Sequence, residues 1–173
     1  MSKEDDKSGR LRYRGLIFLA LGIQVSAVSV LDEIHFGGAK ALLIASYVVL
    51  LLVILSNIKR PGMVLVFIGA FLNFLAIATN GGSMPLDPRA VGLNPEFVSL
   101  HNEASGFLSW SKDTLQLSES TRLGFLGDVF RFPGSTWVFS PGDGFIATGI
   151  LLYAFYLLLR RQPRESASLR GDS

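Results

Sequence analysis

The sequence predicts an all-α membrane protein with four transmembrane helices and a long outer loop that contains short interfacial helices. Two observations lead to this fold class. Hydrophobic residues make up 49% of the chain and charged residues only 17%, whereas charged residues are about 25% of an average soluble domain. The hydrophobic residues are also collected into four long runs, each close to the ~20 residues that a helix needs to cross a bilayer.

The four runs set the domain organisation. We predict a membrane domain over residues 15–160, an outer loop over residues 80–140, and cytoplasmic tails over residues 1–14 and 161–173. The predicted spans are about residues 15–31, 41–58, 62–79 and 141–159. A cleavable signal peptide is the alternative for the first run. Its flanks fit a retained helix equally well, and its removal would leave an odd number of spans.

The positions of the basic residues predict the orientation. Eleven lysines and arginines lie on one side of this arrangement: five in the N-terminal tail, Lys59 and Arg60, and four from Arg160 onward. Five lie on the other side: Lys40, Arg89, Lys112, Arg122 and Arg131. Short cytoplasmic loops carry an excess of Lys and Arg. We therefore predict a bacterial cytoplasmic (inner) membrane protein with both termini in the cytoplasm and the long loop outside.

One face of the third run carries small and polar residues. Gly69, Asn73, Ala76 and Asn80 follow one another at helical spacing and therefore lie on one side of the helix. Small residues let helices approach closely in lipid, and a buried asparagine seeks a partner across the interface, for which Gln24 is the candidate. We interpret Asn73 as a packing residue; a ligand or proton-path role is the alternative.

The third run ends abruptly at Asn80-Gly81-Gly82, and Pro85 follows closely. Glycine accepts positive φ and proline cannot continue the helical hydrogen-bond ladder, so we predict a C-cap turn. The alternative is a nest of backbone N–H groups that binds an anion. The negative dipole at a helix C-terminus disfavours it.

The outer loop carries further local signals. Asp87-Pro88 and Asn94-Pro95 each pair an N-cap residue with proline, which predicts two short helices. Residues 123–132 are apolar but too few to span, so we expect them in the membrane interface or packed against the bundle. Trp110 and Trp137 suit headgroup depth.

Two Gly-Asp pairs form the candidate catalytic site. Asp128 and Asp143 each follow a glycine next to an apolar segment at the predicted outer surface. If their carboxyl groups met, one would act ionised as a base and the other protonated as an acid, as in aspartyl proteases. Structural roles compete with this hypothesis. Ser140 as N-cap, Pro141 as N1 and Asp143 as N3 match a capping box for the fourth helix, and Asp128 could accept backbone hydrogen bonds.

The remaining chemistry is limited. The candidate acids, bases and ligands are His35, Asp87, His101, Glu103, Asp128 and Asp143. No histidine spacing matches a zinc motif, so we predict no metal and no other cofactor. The absence of cysteine excludes disulfides and thiolate chemistry. The net charge is only +2, so nucleic acid is not a predicted partner; the lipid bilayer and other membrane proteins are.

Four segments follow one another from residue 79 onward. They are Thr79-Asn80-Gly81-Gly82-Ser83-Met84-Pro85, Ser120-Thr121-Arg122-Leu123, Phe125-Leu126-Gly127-Asp128-Val129 and Val138-Phe139-Ser140-Pro141-Gly142-Asp143. Together they resemble a family of small uncharacterised bacterial integral membrane proteins, a domain of unknown function, over roughly residues 40–160. The resemblance implies a multi-span membrane protein and no particular activity.

A second, more distant resemblance rests on the stretch from Gly127-Asp128-Val129-Phe130 to Phe139-Ser140-Pro141-Gly142-Asp143. Its order and spacing are similar to the last motifs of lipoprotein signal peptidase, a four-span enzyme with two catalytic aspartates near its outer face. This resemblance implies Asp128 and Asp143 as the catalytic pair. The chain departs from the N-x-x-D-R motif of that family, because Phe125 and Val129 occupy the Asn and Arg positions.

The sequence thus predicts an integral membrane protein of undetermined biochemistry, acting as an accessory or structural component of a membrane assembly. The alternative is a membrane-embedded aspartyl-type hydrolase or peptidase acting at the outer face. A transporter acting alone is disfavoured, because the sequence has no repeats or paired broken helices. The residues assigned structural roles are Asn73, Asn80, Gly81, Gly82, Pro85, Ser140 and Pro141.

Overall fold

The structure, a computed structural model, describes residues 11–26, 38–92, 113–115, 121–135 and 137–161. In chain order the elements are α1 (Arg14–Ser26), α2 (Ala39–Ser56), α3 (Met63–Thr79), β1 (Met84–Leu86), β2 (Asp113–Leu115), a 3₁₀ turn (Gly124–Leu126), β3 (Phe130–Arg131), β4 (Val138–Phe139) and α4 (Pro141–Arg161). This part of the chain is mostly helical, as predicted.

Four α-helices occur in the described residues, one in each predicted apolar run. By length and composition, α4 is the one of them that could cross a membrane, over Pro141–Arg160, and 11% of that window is buried. The other three are apolar but shorter. α2 stops two residues before its predicted limit, because the Asn57 N–H donates to the Ile54 carbonyl at 2.9 Å and the chain turns. Residues 27–31 of the first predicted span lie outside the described residues.

Helices α3 and α4 pack antiparallel through glycines. A Cβ on Gly69 would overlap the carbonyl oxygen of Gly142, and a Cβ on Gly62 would overlap that of Gly149. The two contacts are seven residues apart on both helices, 62 to 69 and 142 to 149. Glycine allows this approach because it has no Cβ. We term this contact the glycine seam.

The hydrophobic core lies where the end of α3 meets α2, β1 and the 3₁₀ turn. Its buried members are Leu43, Tyr47, Ala76, Ile77, Met84 and Leu126. The predicted packing face of α3 is the buried one, because Gly69, Asn73 and Ala76 are all buried and Asn80 caps the helix. The outer faces of the helices carry exposed apolar side chains.

Turns, short strands and the 3₁₀ turn, rather than short α-helices, form the described part of the outer loop. β1 pairs in parallel with β2, and β3 pairs with β4 in an antiparallel hairpin. The Asp87 carboxylate accepts a hydrogen bond from the Arg89 N–H at 2.9 Å, as an N-cap would. The predicted helix is nevertheless wrong here, because only turns follow and Gly92, at φ +78°, reverses the chain. The prediction at Asn94-Pro95 lies outside the described residues.

Candidate functional site

The segments behind the family resemblance converge at the C-terminal end of α3. Residues 79–85 lead from α3 into β1, residues 121–123 reach back to Asn80, and residues 125–129 pair with β1. Residues 138–143 form β4 and the start of α4, which bonds to α3. We term residues 73–87, 121–129 and 138–143 the α3 cap region, and it is the candidate functional site.

Asn80 fastens the outer loop to the end of α3. Its Oδ1 accepts a hydrogen bond from the Arg122 N–H at 3.0 Å, and its Nδ2 donates to the Arg122 carbonyl at 2.7 Å. The same Nδ2 donates to the Ala76 carbonyl at 2.7 Å, one of the carbonyls that a helix end leaves without a helical partner. One side chain therefore caps the helix and holds both backbone groups of a residue 42 positions away. We term this arrangement an asparagine clamp.

The glycines after Asn80 form the predicted C-cap. Gly81 and Gly82 have φ values of +66° and +88°. The N–H groups of Asn80 and Gly82 both donate to the Ile77 carbonyl, at 3.2 Å and 2.9 Å. Because both donors point back into the helix, the geometry favours the C-cap turn over the alternative of an anion nest. Gly82 is also close-packed, since a Cβ there would lie 2.8 Å from the Cβ of Lys40.

Asp128 is attached to β1 through its backbone. Its N–H donates to the Pro85 carbonyl at 2.8 Å, and its carbonyl accepts from the Asp87 N–H at 3.2 Å. The approach requires glycine before it, because a Cβ on Gly127 would overlap the Pro85 carbonyl oxygen. Asp128 as a whole is 3% exposed. The Gly-Asp pair at 127–128 thus places a carboxyl group in the interior beside β1.

Asp143 and Ser140 form the predicted capping box at the start of α4. The Asp143 N–H donates to Ser140 Oγ at 3.0 Å, and the Ser140 N–H donates to Asp143 Oδ2 at 3.0 Å. Each residue thereby satisfies a backbone donor that the first turn of a helix leaves without a partner. The carboxylate also lies in the first turn of α4, where acidic side chains stabilise a helix.

Asn73 links this capping box to α3. Its Nδ2 donates to Asp143 Oδ1 at 2.8 Å, and its Oδ1 accepts from Ser140 Oγ at 2.8 Å. The predicted partner Gln24 is therefore wrong: α1 packs on α2, and the Gln24 Nε2 is buried without a hydrogen-bond partner among the described residues. Gly142 makes room for the contact, since a Cβ there would overlap Asn73 Oδ1.

The β3–β4 hairpin brings the two candidate catalytic aspartates to the same end of the molecule. Phe130 pairs with Phe139, so Asp128, just before β3, and Asp143, just after β4, both lie at the open end of the hairpin. Both carboxylate oxygens of Asp143 already accept hydrogen bonds from Asn73 and Ser140. The arrangement therefore gives Asp143 a capping role.

Metal binding finds no support in the described residues. They contain no group of three or more His, Asp or Glu side chains that could hold an ion. His35, His101 and Glu103, which were among the predicted outer groups, lie outside the described residues.

A second asparagine clamp was not predicted. Asn57, just after α2, accepts from the Arg12 N–H at 2.8 Å and donates to the Arg12 carbonyl at 3.2 Å. It also donates to the Val53 carbonyl at 2.8 Å. A shared signal exists in the sequence, because each clamp asparagine follows a hydroxyl residue at the end of an apolar run, Ser56 or Thr79.

A family model matches residues 9–155, which include the whole α3 cap region. It describes a family of unknown function, DUF5317. The chain belongs to this family. The expected resemblance to a domain of unknown function is thus confirmed, and the family model indicates no specific biochemistry. No curated protein and no solved structure matches the chain, so the resemblance to lipoprotein signal peptidase gains no support.

Proposed function

We propose that this protein is a multi-pass membrane protein that serves as an accessory or structural component of a membrane assembly. The exposed apolar surface of α4 carries the proposal. Its apolar window is 11% buried, and Leu151, Phe155 and Leu158 are 69%, 60% and 60% exposed. The core helix of a soluble protein would be mostly covered, so this surface calls for lipid or for partner helices.

The four-span arrangement remains part of the proposal, although the other three helices are shorter than α4. Their outer faces also expose large apolar side chains, among them Phe18, Leu19, Val25, Leu52, Leu55 and Val64. α2, with 18 residues, is about 27 Å long at 1.5 Å per residue, close to the ~30 Å of a hydrocarbon core. The distribution of basic residues in the sequence is the basis for proposing an inner-membrane protein with both termini in the cytoplasm and the long loop outside.

A structural role is favoured over catalysis by what the polar groups of the α3 cap region do. Asn80 bonds to backbone, while Asn73, Ser140 and Asp143 bond to one another across α3 and α4. Side chains used in this way fix the shape of the region. A rigid outer end and apolar flanks suit a protein that packs against other membrane proteins.

The accessory role can be tested directly by measuring the mass of the particle in which the protein is extracted from the membrane. The protein would be extracted in a mild detergent at its native expression level and its mass measured under native conditions. We expect it to travel with a defined larger complex. A free monomer, or a small oligomer of this chain alone, would contradict the accessory role and leave the membrane placement standing.

The orientation can be tested with single cysteines, because the chain has none. We expect Ser118→Cys to react with a membrane-impermeant maleimide in intact spheroplasts. Ser8→Cys and Ser168→Cys should react only after permeabilisation. Labelling of either tail from outside would overturn the proposed orientation, and full labelling of all three after extraction provides the control for reactivity.

A membrane-embedded aspartyl-type hydrolase remains the second candidate. It is favoured by one observation: Asp128, which is buried, and Asp143, which is half-buried, flank the open end of the same hairpin. A hydrophobic peptide bearing a statine-type hydroxyl mimics the tetrahedral intermediate between two such carboxyl groups. For an enzyme, this compound would raise the melting temperature of the unsubstituted protein and not that of Asp128→Asn. Equal effects on both proteins, or none, would remove the enzyme hypothesis.

A further inference from the structure

The β3–β4 hairpin carries large aromatic side chains on its outside. Phe130 is 50% exposed, Phe132 62% and Trp137 80%, and neighbouring Phe125 is 69% exposed. Side chains of this size gain free energy when they leave water, so a contiguous group of them marks a contact surface. The hairpin therefore needs an environment that the described part of the chain does not supply.

The aromatic surface is held in place before any contact. The Phe132 N–H donates to the Trp137 carbonyl at 2.9 Å, and the Trp137 N–H donates to Ser135 Oγ at 3.1 Å. The Phe130 ring stacks on the Phe139 ring with centroids 5.5 Å apart, and the Phe132 ring meets the Phe139 ring edge-on with centroids 6.3 Å apart. Binding would thus cost little ordering of the hairpin.

The position of the hairpin next to the start of α4 indicates which environment covers its aromatic side chains. β4 ends at Phe139 and the membrane-length window of α4 begins at Pro141. A 20-residue window covers about 30 Å, the thickness of the hydrocarbon core, so its first residue lies at the membrane surface. The hairpin, one residue further out, must then lie at the level of the lipid headgroups.

The charge of the hairpin fits the same location. Arg131 is the only charged residue from 129 to 142, and its Nε donates to the Ser135 carbonyl at 2.7 Å. A guanidinium beside exposed aromatic rings matches a layer of phosphates above acyl chains, because Arg pairs with phosphate and Trp and Tyr collect at this depth.

We propose that the β3–β4 hairpin is an interfacial anchor, which inserts Phe130, Phe132 and Trp137 into the headgroup region of the outer leaflet and sets Arg131 against lipid phosphates. This inference rests on the membrane placement proposed above. It adds a lipid-binding surface to the outer end of the protein and fixes the height at which α4 enters the membrane.

Tryptophan fluorescence in vesicles tests the anchor. The chain has two tryptophans, so Trp110→Phe leaves Trp137 as the single reporter. The variant would be reconstituted into phosphatidylcholine–phosphatidylglycerol vesicles whose acyl chains carry bromine either near the headgroup or near the chain end. We expect loss of Trp137 emission with the shallow bromine and much less loss with the deep bromine. Equal or stronger loss with the deep bromine would overturn an interfacial position.

A matched reporter separates failure of the anchor from failure of the membrane placement. Phe155→Trp, combined with Trp110→Phe and Trp137→Phe, places one tryptophan on the exposed face of α4, where Phe155 is 60% exposed. Deep bromine should quench it strongly. If it is quenched while Trp137 is quenched by neither lipid, α4 is in the membrane and the hairpin is not, as expected if a protein covers the hairpin instead. If neither reporter is quenched, the membrane placement itself fails.

The same assay tests whether Arg131 contacts lipid phosphates. Increasing the phosphatidylglycerol fraction should increase shallow quenching of Trp137, and Arg131→Gln should abolish this dependence while leaving the aromatic side chains in place. A dependence that survives Arg131→Gln would show that Arg131 does not face the phosphates.

Discussion

The two asparagine clamps lie at opposite ends of α3 and use the same atoms. Asn57 stands in the turn before the helix and Asn80 directly after it, and the 17 residues of the helix separate them by about 25 Å. In both, Oδ1 accepts from an arginine N–H while Nδ2 donates to the carbonyl of that arginine and to the carbonyl four residues back. In both, the residue after the arginine is left-handed: Tyr13 at φ +53° and Leu123 at φ +52°.

The clamps differ in chain order and in burial. Arg12 precedes Asn57 by 45 residues, whereas Arg122 follows Asn80 by 42. The two are therefore not copies of one repeat, and the same geometry arose around two unrelated connections. Asn57 is 3% exposed and Asn80 is half-buried. The comparison shows that a helix-ending asparagine can hold a distant segment by its backbone alone.

Replacing Asn57, the buried clamp asparagine, should give the largest effect on stability. Asn57→Ala leaves the buried partners of the amide without hydrogen bonds, so we expect a loss of about 2–3 kcal/mol in the free energy of unfolding. Asn80→Ala should lose only about 1 kcal/mol, because water can replace its partners. Unfolding in mild-detergent micelles with increasing dodecyl sulfate would measure both.

The variant Asn57→Asp provides the control for Asn57→Ala. Asn57→Asp keeps the size and the acceptor of the side chain but turns the Nδ2 donor into an oxygen that faces two carbonyls. It should be at least as destabilising as Asn57→Ala. Equal losses for Asn57→Ala and Asn80→Ala would show that burial does not decide the strength of a clamp.

The two clamps also differ in the residues that follow them, because Gly81 and Gly82 follow Asn80 and no glycine directly follows Asn57. Substituting these glycines tests what this difference contributes to stability. Gly81→Ala places a Cβ in open space and should cost about 1 kcal/mol for its positive φ alone. Gly82→Ala adds a contact with the Lys40 side chain and should cost about 2 kcal/mol. The same unfolding assay applies. A smaller loss for Gly82→Ala would mean that α2 gives way at Lys40.

The smallest effect should come from Tyr13, one of the two residues in the left-handed conformation. Tyr13 is 56% exposed, so Tyr13→Asn should relieve backbone strain and stabilise the protein by up to about 0.5 kcal/mol, because asparagine tolerates this conformation. Leu123 packs on the core cluster, so Leu123→Asn should destabilise. A thermal melt would distinguish the two signs, and stabilisation by both changes would contradict the role of Leu123 in the core.

Local chemistry made part of this structure predictable. The capping box at Ser140 and Asp143, the C-cap at Gly81-Gly82 and the packing face of α3 each depend on residues within a few positions of one another. The partners of Asn73, Asn80 and Asn57 could not be predicted, because each lies more than 40 residues away. A backbone partner, as at Arg122, leaves no side-chain signal at all. The helix expected at Asp87-Pro88 did not form, because the hydrogen bonds that follow are those of turns and Gly92 takes a φ of +78°.

The glycine seam limits how the protein could transmit a change from one end to the other. Moving α4 along α3 by one turn would bring Ile146 in place of Gly142 against Gly69, and the Ile146 side chain already lies at the edge of that contact. Backbone contacts at two heights therefore block sliding of one helix past the other. The two helices should therefore move as a pair, so that a displacement of the outer end of α4 changes the tilt of the pair and leaves the register between α3 and α4 unchanged.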